Sequence, residues 1–281
     1  MSTAVPANTT NMGVRVLSLD GGGIGVLSEL LILDRIMYRV QTELRRDTRP
    51  SPCEYFELIG GSGTGGLIAL MLGRLRMSIA DATAAYEKLR PQSKIGFADH
   101  FVCAMNALNM NASRGAAIEC MMWEAARATS ATPGLFKPME IGLGGTKQRY
   151  IGGGVGNNNP AALVLAEAKK LYPLRPVVLL ASIGSGHPDV IQIPKAPSTN
   201  AVGKVMKSIT MDCEKTHEEM ATLYRLLPNT YFRLNVQQGM QGLASHDWNE
   251  SSAISAHTRA YLGTEDVKSK LTEAVKVILS S

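Results

Sequence analysis

Short unbroken apolar runs alternate along this chain with longer stretches in which apolar residues recur at helical spacing. Val14–Leu19 (VRVLSL) is the first run, and it stops at Asp20-Gly21-Gly22-Gly23. From Val26 to Leu44 the period changes, with Leu27, Leu30, Leu31, Ile36, Met37, Val40 and Leu44 lining one helix face. Turn residues at 47–52 end that helix, and Tyr55–Ile59 reads as a second strand. Leu67–Arg74 reads as helix. Ser78 followed by Asp81 has the spacing of a cap for another, running to Leu89. Residues 91–115 favour neither state, and Ala116–Arg127 is alanine-rich and helical in character.

Asn157-Asn158-Asn159 before Pro160 supplies a cap and a proline for a helix that ends near Lys170. Val177–Ile183 (VVLLASI) is the most strand-like segment. Ala201–Leu227 contains a long helix, Tyr231–Asn235 a strand, and Glu265–Ser280 a terminal amphipathic helix. Strands alternating with helices predict an α/β fold with a mainly parallel central sheet, helices on both faces and ligands at the carboxyl ends of the strands. Residues 1–12 are expected to be disordered. No repeat and no Gly-, Ser- or Pro-rich linker divides the rest, so 13–281 is expected to form a single three-layer domain.

Composition removes several function classes. Of 281 residues, 45% are apolar and 19% charged, the balance of a globular chain with a sizeable core. The net charge is +5, but Lys and Arg are scattered and aromatics make up only 5%, which speaks against a nucleic-acid groove. Cys53, Cys103, Cys120 and Cys213 form no CxxC pair and read as small buried hydrophobes in a reducing compartment. No uncharged apolar run reaches the roughly 18 residues of a membrane span, and the first residues lack the order of a signal peptide. No transmembrane segment and a cytoplasmic location are expected. His100, His187, His217, His246 and His257 show no metal-ligand spacing, so neither a metal nor a cofactor is expected. Nothing in the pattern bears on oligomeric state.

Three glycine clusters each follow an expected strand: DGGGIG at 20–25, GGSGTGG at 60–66 and IGGGVGNNNP at 151–160. In a parallel sheet all three open at the same edge, where glycine lets backbone approach a ligand closely. Gly61, Gly63 and Gly66 also satisfy GxGxxG, with Asp81 twenty residues after Gly61. The dinucleotide reading fails on context, because its acidic residue belongs at the end of the next strand and Asp81 lies in an expected helix. Asp20 is expected to fix its glycine loop through bonds to backbone N–H groups. His187 reads as a turn residue.

On LSLDGGGI (17–24), EYFELIGGSGTGGLIALMLGRLRMS (54–78), ATSATPGLFKPMEIG (128–142), QRYIGGGVGNNNPA (148–161) and ASIGSGHPDV (181–190), the chain resembles a fungal patatin-like phospholipase domain. DCEKTHEEM and FRLNVQQGM extend the likeness, which runs from about residue 14 to at least 248. It implies a patatin-like α/β domain whose activity rests on a Ser–Asp dyad.

The departures decide the functional expectation. Relatives of this kind read GGTSTGGLIAL around the nucleophile; here Gly60-Gly61 and Thr64-Gly65-Gly66-Leu67 fix the register. Ser62 falls on the first threonine and Gly63 on the catalytic serine. The family's aspartate in DGG is Gly152, and its arginine after DGGGI is Gly25. A hydrolase of this type needs a nucleophile with a base in hydrogen-bond reach, and neither residue is present. The glycine loop at 21–23, whose N–H groups form the family's oxyanion hole, is retained. Both replacements are the smallest possible, so space is expected where the dyad stood.

The resulting expectation is a reused pocket that binds an apolar small-molecule substrate or a lipid through Gly21, Gly22, Gly23, Ile24, Gly25, Ser62, Gly63, Thr64, Gly152 and Gly153. Its function would be that of a non-hydrolytic enzyme of terpenoid or polyketide biosynthesis, such as a cyclase or Diels–Alderase, which gains from orientation and from donors aimed at developing charge. The alternatives are a non-catalytic lipid-binding or regulatory pseudoenzyme and a residual acyl hydrolase.

Overall fold

The structure is a computed structural model that describes residues 13–89, 120–133, 136–187, 191, 198–243 and 248–280. The expectations for 1–12, for 91–115, for the first turn of the helix from Ala116, and for Cys103, His100 and His246 lie outside the described residues. Four strands, β1 (Val14–Leu19), β2 (Leu58–Gly61), β5 (Val177–Ile183) and β6 (Tyr231–Leu234), form a wholly parallel sheet in the order β2-β1-β5-β6. β1 is buried along its whole length, as its unbroken apolar run requires.

Helices cover both faces. On one, α1 (Val26–Glu43), α2 (Gly63–Ala69), α3 (Ile79–Lys88), α8 (Ser251–Leu262) and α9 (Glu265–Leu279) enclose the larger core, which includes Leu17, Leu19, Leu33, Ile68, Ile183 and Leu271. On the other, α5 (Ala161–Leu171) and α7 (Glu214–Leu223) pack on Val14, Val16 and Leu180. The α/β architecture is therefore the expected one, mainly parallel with helices on both faces. At the amino end of the sheet Arg15 pairs with Glu57 at 2.9 Å and donates to Ile278 O at 2.9 Å, pinning α9 to β1. Among the described residues no helix is long and apolar enough to cross a membrane.

Several elements differ from expectation for local reasons. β2 begins at Leu58 because Ser51 and Glu54 cap a short turn at Pro52–Glu54 and delay the strand. α2 runs into a π-helical turn, Leu70–Arg74, closed by Leu75 N–H to Leu70 O at 2.9 Å. The long helix expected over Ala201–Leu227 is two, α6 (Thr199–Thr210) and α7; Asp212 Oδ1 accepts Glu214 N–H at 2.9 Å and restarts the chain between them. The helix after Pro160 starts at Ala161, whose N–H is capped by Asn159 Oδ1 at 3.1 Å. The strand expected before the third glycine cluster is β4 (Gln148–Tyr150), but its antiparallel hairpin partner β3 (Met139–Ile141) was not expected, and neither was α8. α4 spans Met122–Thr129. The cysteines also depart from a uniform reading, because Cys213 is buried whereas Cys120 is exposed.

Candidate functional site

β1 and β2 are paired as far as Leu19 and Gly61, so the segments that leave their carboxyl ends start side by side. Ser62 N–H donates to Leu19 O at 3.0 Å, and Gly22 N–H to Thr64 Oγ1 at 3.3 Å, tying the two turns together. The third glycine cluster arrives differently from expectation. It follows β4, which belongs to the hairpin and not to the central sheet. It is held at the same place by Gly21 N–H donating to Asn158 O at 2.9 Å.

These three segments share the wall of a cavity of about 670 Å³, to which Gly21, Gly22, Gly23, Gly63, Thr64 and Gly152 all contribute. Leu67, Tyr86, Leu89, Phe136, Met211 and Trp248 make the remainder of the wall mainly apolar. Tyr86 is fixed by donating to Gly23 O at 2.8 Å and by packing its ring 5.2 Å from that of Trp248.

Four of the residues expected at the site are not on this wall. Ile24 is 1% exposed and joins the larger core. Gly25 faces the Ser185 carbonyl, which lies 2.4 Å from where a Cβ would stand, so the arginine that the resemblance implied at this position has no room here. Ser62 is 1% exposed with extended backbone, and its Oγ has no partner among the described residues. Gly153 is absent from the wall and accepts Asn157 N–H at 3.2 Å.

Gly63 adopts φ +53° at the sharp turn between β2 and α2, the left-handed conformation found where a strand-to-helix elbow presents a nucleophile. A Cβ at Gly63 would meet only Gly21 Cα, at 3.7 Å, so there is room for a side chain. At Gly152 there is none. Its N–H donates to Ala131 O at 2.8 Å, and a Cβ would stand 2.6 Å from Thr129 O. The expected vacancy at position 152 is thus occupied by the backbone that follows α4.

The donor loop is also narrower in function than the sequence suggested. Gly21 N–H is spent on Asn158, whereas the N–H groups of Gly23, Gly63 and Thr64 have no partner among the described residues. Asp20 does not bond this loop's backbone. Its Oδ2 pairs with Arg233 at 2.7 Å, and Arg233 also contacts Glu214 at 3.3 Å and donates to Ser182 Oγ at 3.0 Å. Complete burial raises the Asp20 carboxyl above its ordinary range, opposed by the Arg233 guanidinium. Arg233 was missed from sequence, yet it is the one cation in β6, and a buried carboxylate at a strand end calls for such a partner.

The remaining candidates have structural roles. Asp81 N–H is capped by Ser78 Oγ at 3.1 Å on the exposed start of α3, far in kind from a ribose-binding acid. His187 N–H donates to Val236 O at 2.8 Å and ties the turn after β5 to the chain beyond β6. His217 Nδ1 lies 3.1 Å from Tyr231 Oη, and burial lowers its pKa. Among the described residues no group of three or more His, Cys, Asp or Glu is placed to hold a metal.

No protein-family model matches the chain. Calcium-independent phospholipase A2-gamma of Mus musculus is 24% identical over 283 residues, covering 79% of this chain and 35% of that protein. Patatin-like phospholipase 1 of Plasmodium falciparum is 24% identical over 332 residues, covering 90% of this chain and 48% of that protein. Probable inactive patatin-3-Kuras 1 of Solanum tuberosum is 42% identical over 59 residues, 21% of this chain and 16% of its own length. The chain spans about a third of the length of the phospholipase A2-gamma relatives it matches. These similar proteins are patatin-like phospholipases, in agreement with the resemblance carried by the motifs.

Proposed function

We propose that this is a patatin-like domain in which Gly63 and Gly152 stand where active relatives carry the serine and the aspartate, and that it works without hydrolysis. The observation that carries the reading is the turn at Gly63, which keeps left-handed φ and room for a side chain while having none. Ser62 does not substitute, because it is buried away from the cavity wall. With the backbone after α4 closed on Gly152, that position offers no base.

What remains is an apolar cavity with unspent backbone donors at Gly23, Gly63 and Thr64. Such a site suits a non-hydrolytic enzyme of terpenoid or polyketide biosynthesis, of the cyclase or Diels–Alderase kind. The wall would hold a flexible apolar precursor in a reactive conformer, and the donors would polarise a carbonyl as charge develops. The second reading is a lipid-binding pseudoenzyme, favoured by the phospholipase names of the similar proteins and by the probable inactive patatin among them.

The test is conversion of candidate polyene precursors by purified protein, scored against the spontaneous rate and product ratio. Acceleration or altered selectivity that is lost in Gly63→Leu supports the enzyme. Lipid binding without any conversion supports the pseudoenzyme. Turnover of a p-nitrophenyl acyl ester well above buffer would overturn both.

A further inference from the structure

We infer that the amino edge of the central sheet, opposite the cavity, docks on an anionic lipid surface by inserting leucines. The chain enters β5 through residues 172–176 and β6 through residues 224–230. These strands are parallel neighbours, with Leu180 N–H donating to Thr230 O at 2.7 Å, so the two entry segments stand side by side. Tyr172 and Tyr224 root them, both packed with Tyr231 on the core beneath α5 and α7.

Around these tyrosines the leucines face solvent. Leu174 is 86% exposed and Leu226 83%, and Leu171, Leu223 and Leu227 are each more than half exposed. Side chains as free as the first two stand proud of the surface, because the fold gives them almost no contact of its own. A group of large exposed apolar side chains marks an interaction site. A rigid protein partner would need a socket for each projecting tip, whereas the headgroup boundary of a bilayer yields to a convex surface.

Charge selects the kind of surface. Residues 168–176 and 220–230 contain Lys169, Lys170, Arg175 and Arg225 and no Asp or Glu. Lys170 is bridged to Glu167 and Arg175 to Glu57. Lys169 and Arg225 are exposed and have no ion-pair partner among the described residues. Cations beside apolar tips fit an anionic headgroup layer, where each contributes about a fivefold gain in binding. The same cations oppose a second copy of the chain, because a two-fold contact would set like charges against each other. The cavity lies at the carboxyl ends of the strands, so docking by the amino edge turns it away from lipid. An enzyme that draws its substrate out of a bilayer needs the reverse pose, and this surface is therefore independent of how the cavity is used.

The experiment is co-sedimentation of the full chain with vesicles of phosphatidylcholine alone and of phosphatidylcholine mixed with phosphatidylglycerol. Binding to the mixed vesicles is expected, weakened by added salt. Leu174→Asp combined with Leu226→Asp should reduce it by about tenfold or more. Lys169→Gln and Arg225→Gln should each reduce it by about fivefold. All four positions are exposed, so the thermal transition should not move. Val202→Asp combined with Met206→Asp, exposed on α6 beside the cavity, should leave vesicle binding as it was. Binding lost in that α6 variant and kept in the leucine variant puts lipid on the cavity side and overturns the inference. Equal binding to both kinds of vesicle, or binding to neither, also overturns it. Gel filtration of the same proteins covers the second copy: a dimer dissolved by the two leucine substitutions, without vesicle binding, replaces lipid by self-association.

Discussion

At Gly63 a side chain would meet nothing nearer than Gly21 Cα at 3.7 Å, whereas at Gly152 a Cβ would lie 2.6 Å from Thr129 O. The backbone shows the opposite pattern. Gly63 has left-handed φ and Gly152 does not. One position therefore tolerates glycine's replacement in space and resists it in conformation; the other tolerates it in conformation and resists it in space. Their supports differ as well. The donor side stands beside the buried Asp20–Arg233–Glu214 cluster, while the side of Gly152 is closed by the Gly152 N–H bond to Ala131 O. Gly63 and Gly152 are thus not equivalent positions.

The largest effect is expected at the charged support of the donor side. Arg233→Met leaves Asp20 buried without its cation and should cost about 3–5 kcal/mol, the range for breaking a buried pair. Urea unfolding measures it, and a loss below about 1 kcal/mol would mean that the cluster does not brace the donor loop. Gly152→Ala comes next. Its methyl group meets main chain, which cannot rotate away, so about 1–3 kcal/mol is expected, with the upper end favoured. If Gly152→Ala proves milder than Gly63→Ala in the same denaturant series, the contrast between the two positions is wrong.

The fold was legible because its signals are repetitive. An unbroken apolar run marks β1 and β5, and helical spacing marks α1 and α9. What stayed hidden was short or masked by small residues. β3 has three residues, too few to show alternation. α8 buries Ile254, Thr258 and Leu262, a stripe whose middle member is polar and is satisfied by bonding Ser28 Oγ at 3.0 Å.

At the site, Gly21, Gly22, Gly23, Gly63 and Thr64 share one wall because β1 and β2 end side by side in the parallel sheet, whereas Gly152 reaches that wall from the hairpin strand β4. The motifs did not reveal the filling of position 152. Motif spacing reports which residues approach one another, and says nothing about how closely a neighbouring main chain packs against a glycine. The cations Arg127 and Lys207, which also line the cavity, were equally invisible, since each comes from a helix whose place is fixed only by tertiary packing.

A smaller, pH-dependent effect is expected at Glu29, in the first turn of α1 just beyond the donor loop. Both of its carboxyl oxygens are buried without a partner among the described residues. Burial, with the Asp20 carboxylate adding to it, pushes its pKa well above the ordinary value of 4.5. The folded state therefore retains a proton that the unfolded chain releases. Its contribution to stability is fully present below the unfolded value and is lost as pH rises toward the folded one, by at most about 1.4 kcal/mol per pH unit. Compared with Glu29→Gln, the unaltered protein should lose stability progressively from about pH 5 upward in parallel urea titrations. Parallel curves would show that Glu29 is not a buried acid.

The smallest change separates geometry from chemistry at the elbow. Gly63→Ser places a hydroxyl where there is space for it, so the penalty is confined to left-handed φ and should be about 1–2 kcal/mol. Ser62→Ala should be nearly neutral by comparison, since the buried hydroxyl it removes has no partner among the described residues. The Gly63→Ser protein should still not hydrolyse a p-nitrophenyl ester. An alcohol near neutral pH needs a base within hydrogen-bond reach, and Gly152 supplies none. Adding Gly152→Asp should not rescue it, because the new carboxylate would displace the Thr129–Thr132 backbone before reaching the hydroxyl introduced at the elbow. The informative failure is a Gly63→Ser protein that turns over ester well above buffer and is silenced by a substitution elsewhere on the wall. That outcome would put a working base on the wall of the cavity away from Gly152, and the two sides would then have to be compared as one incomplete active site.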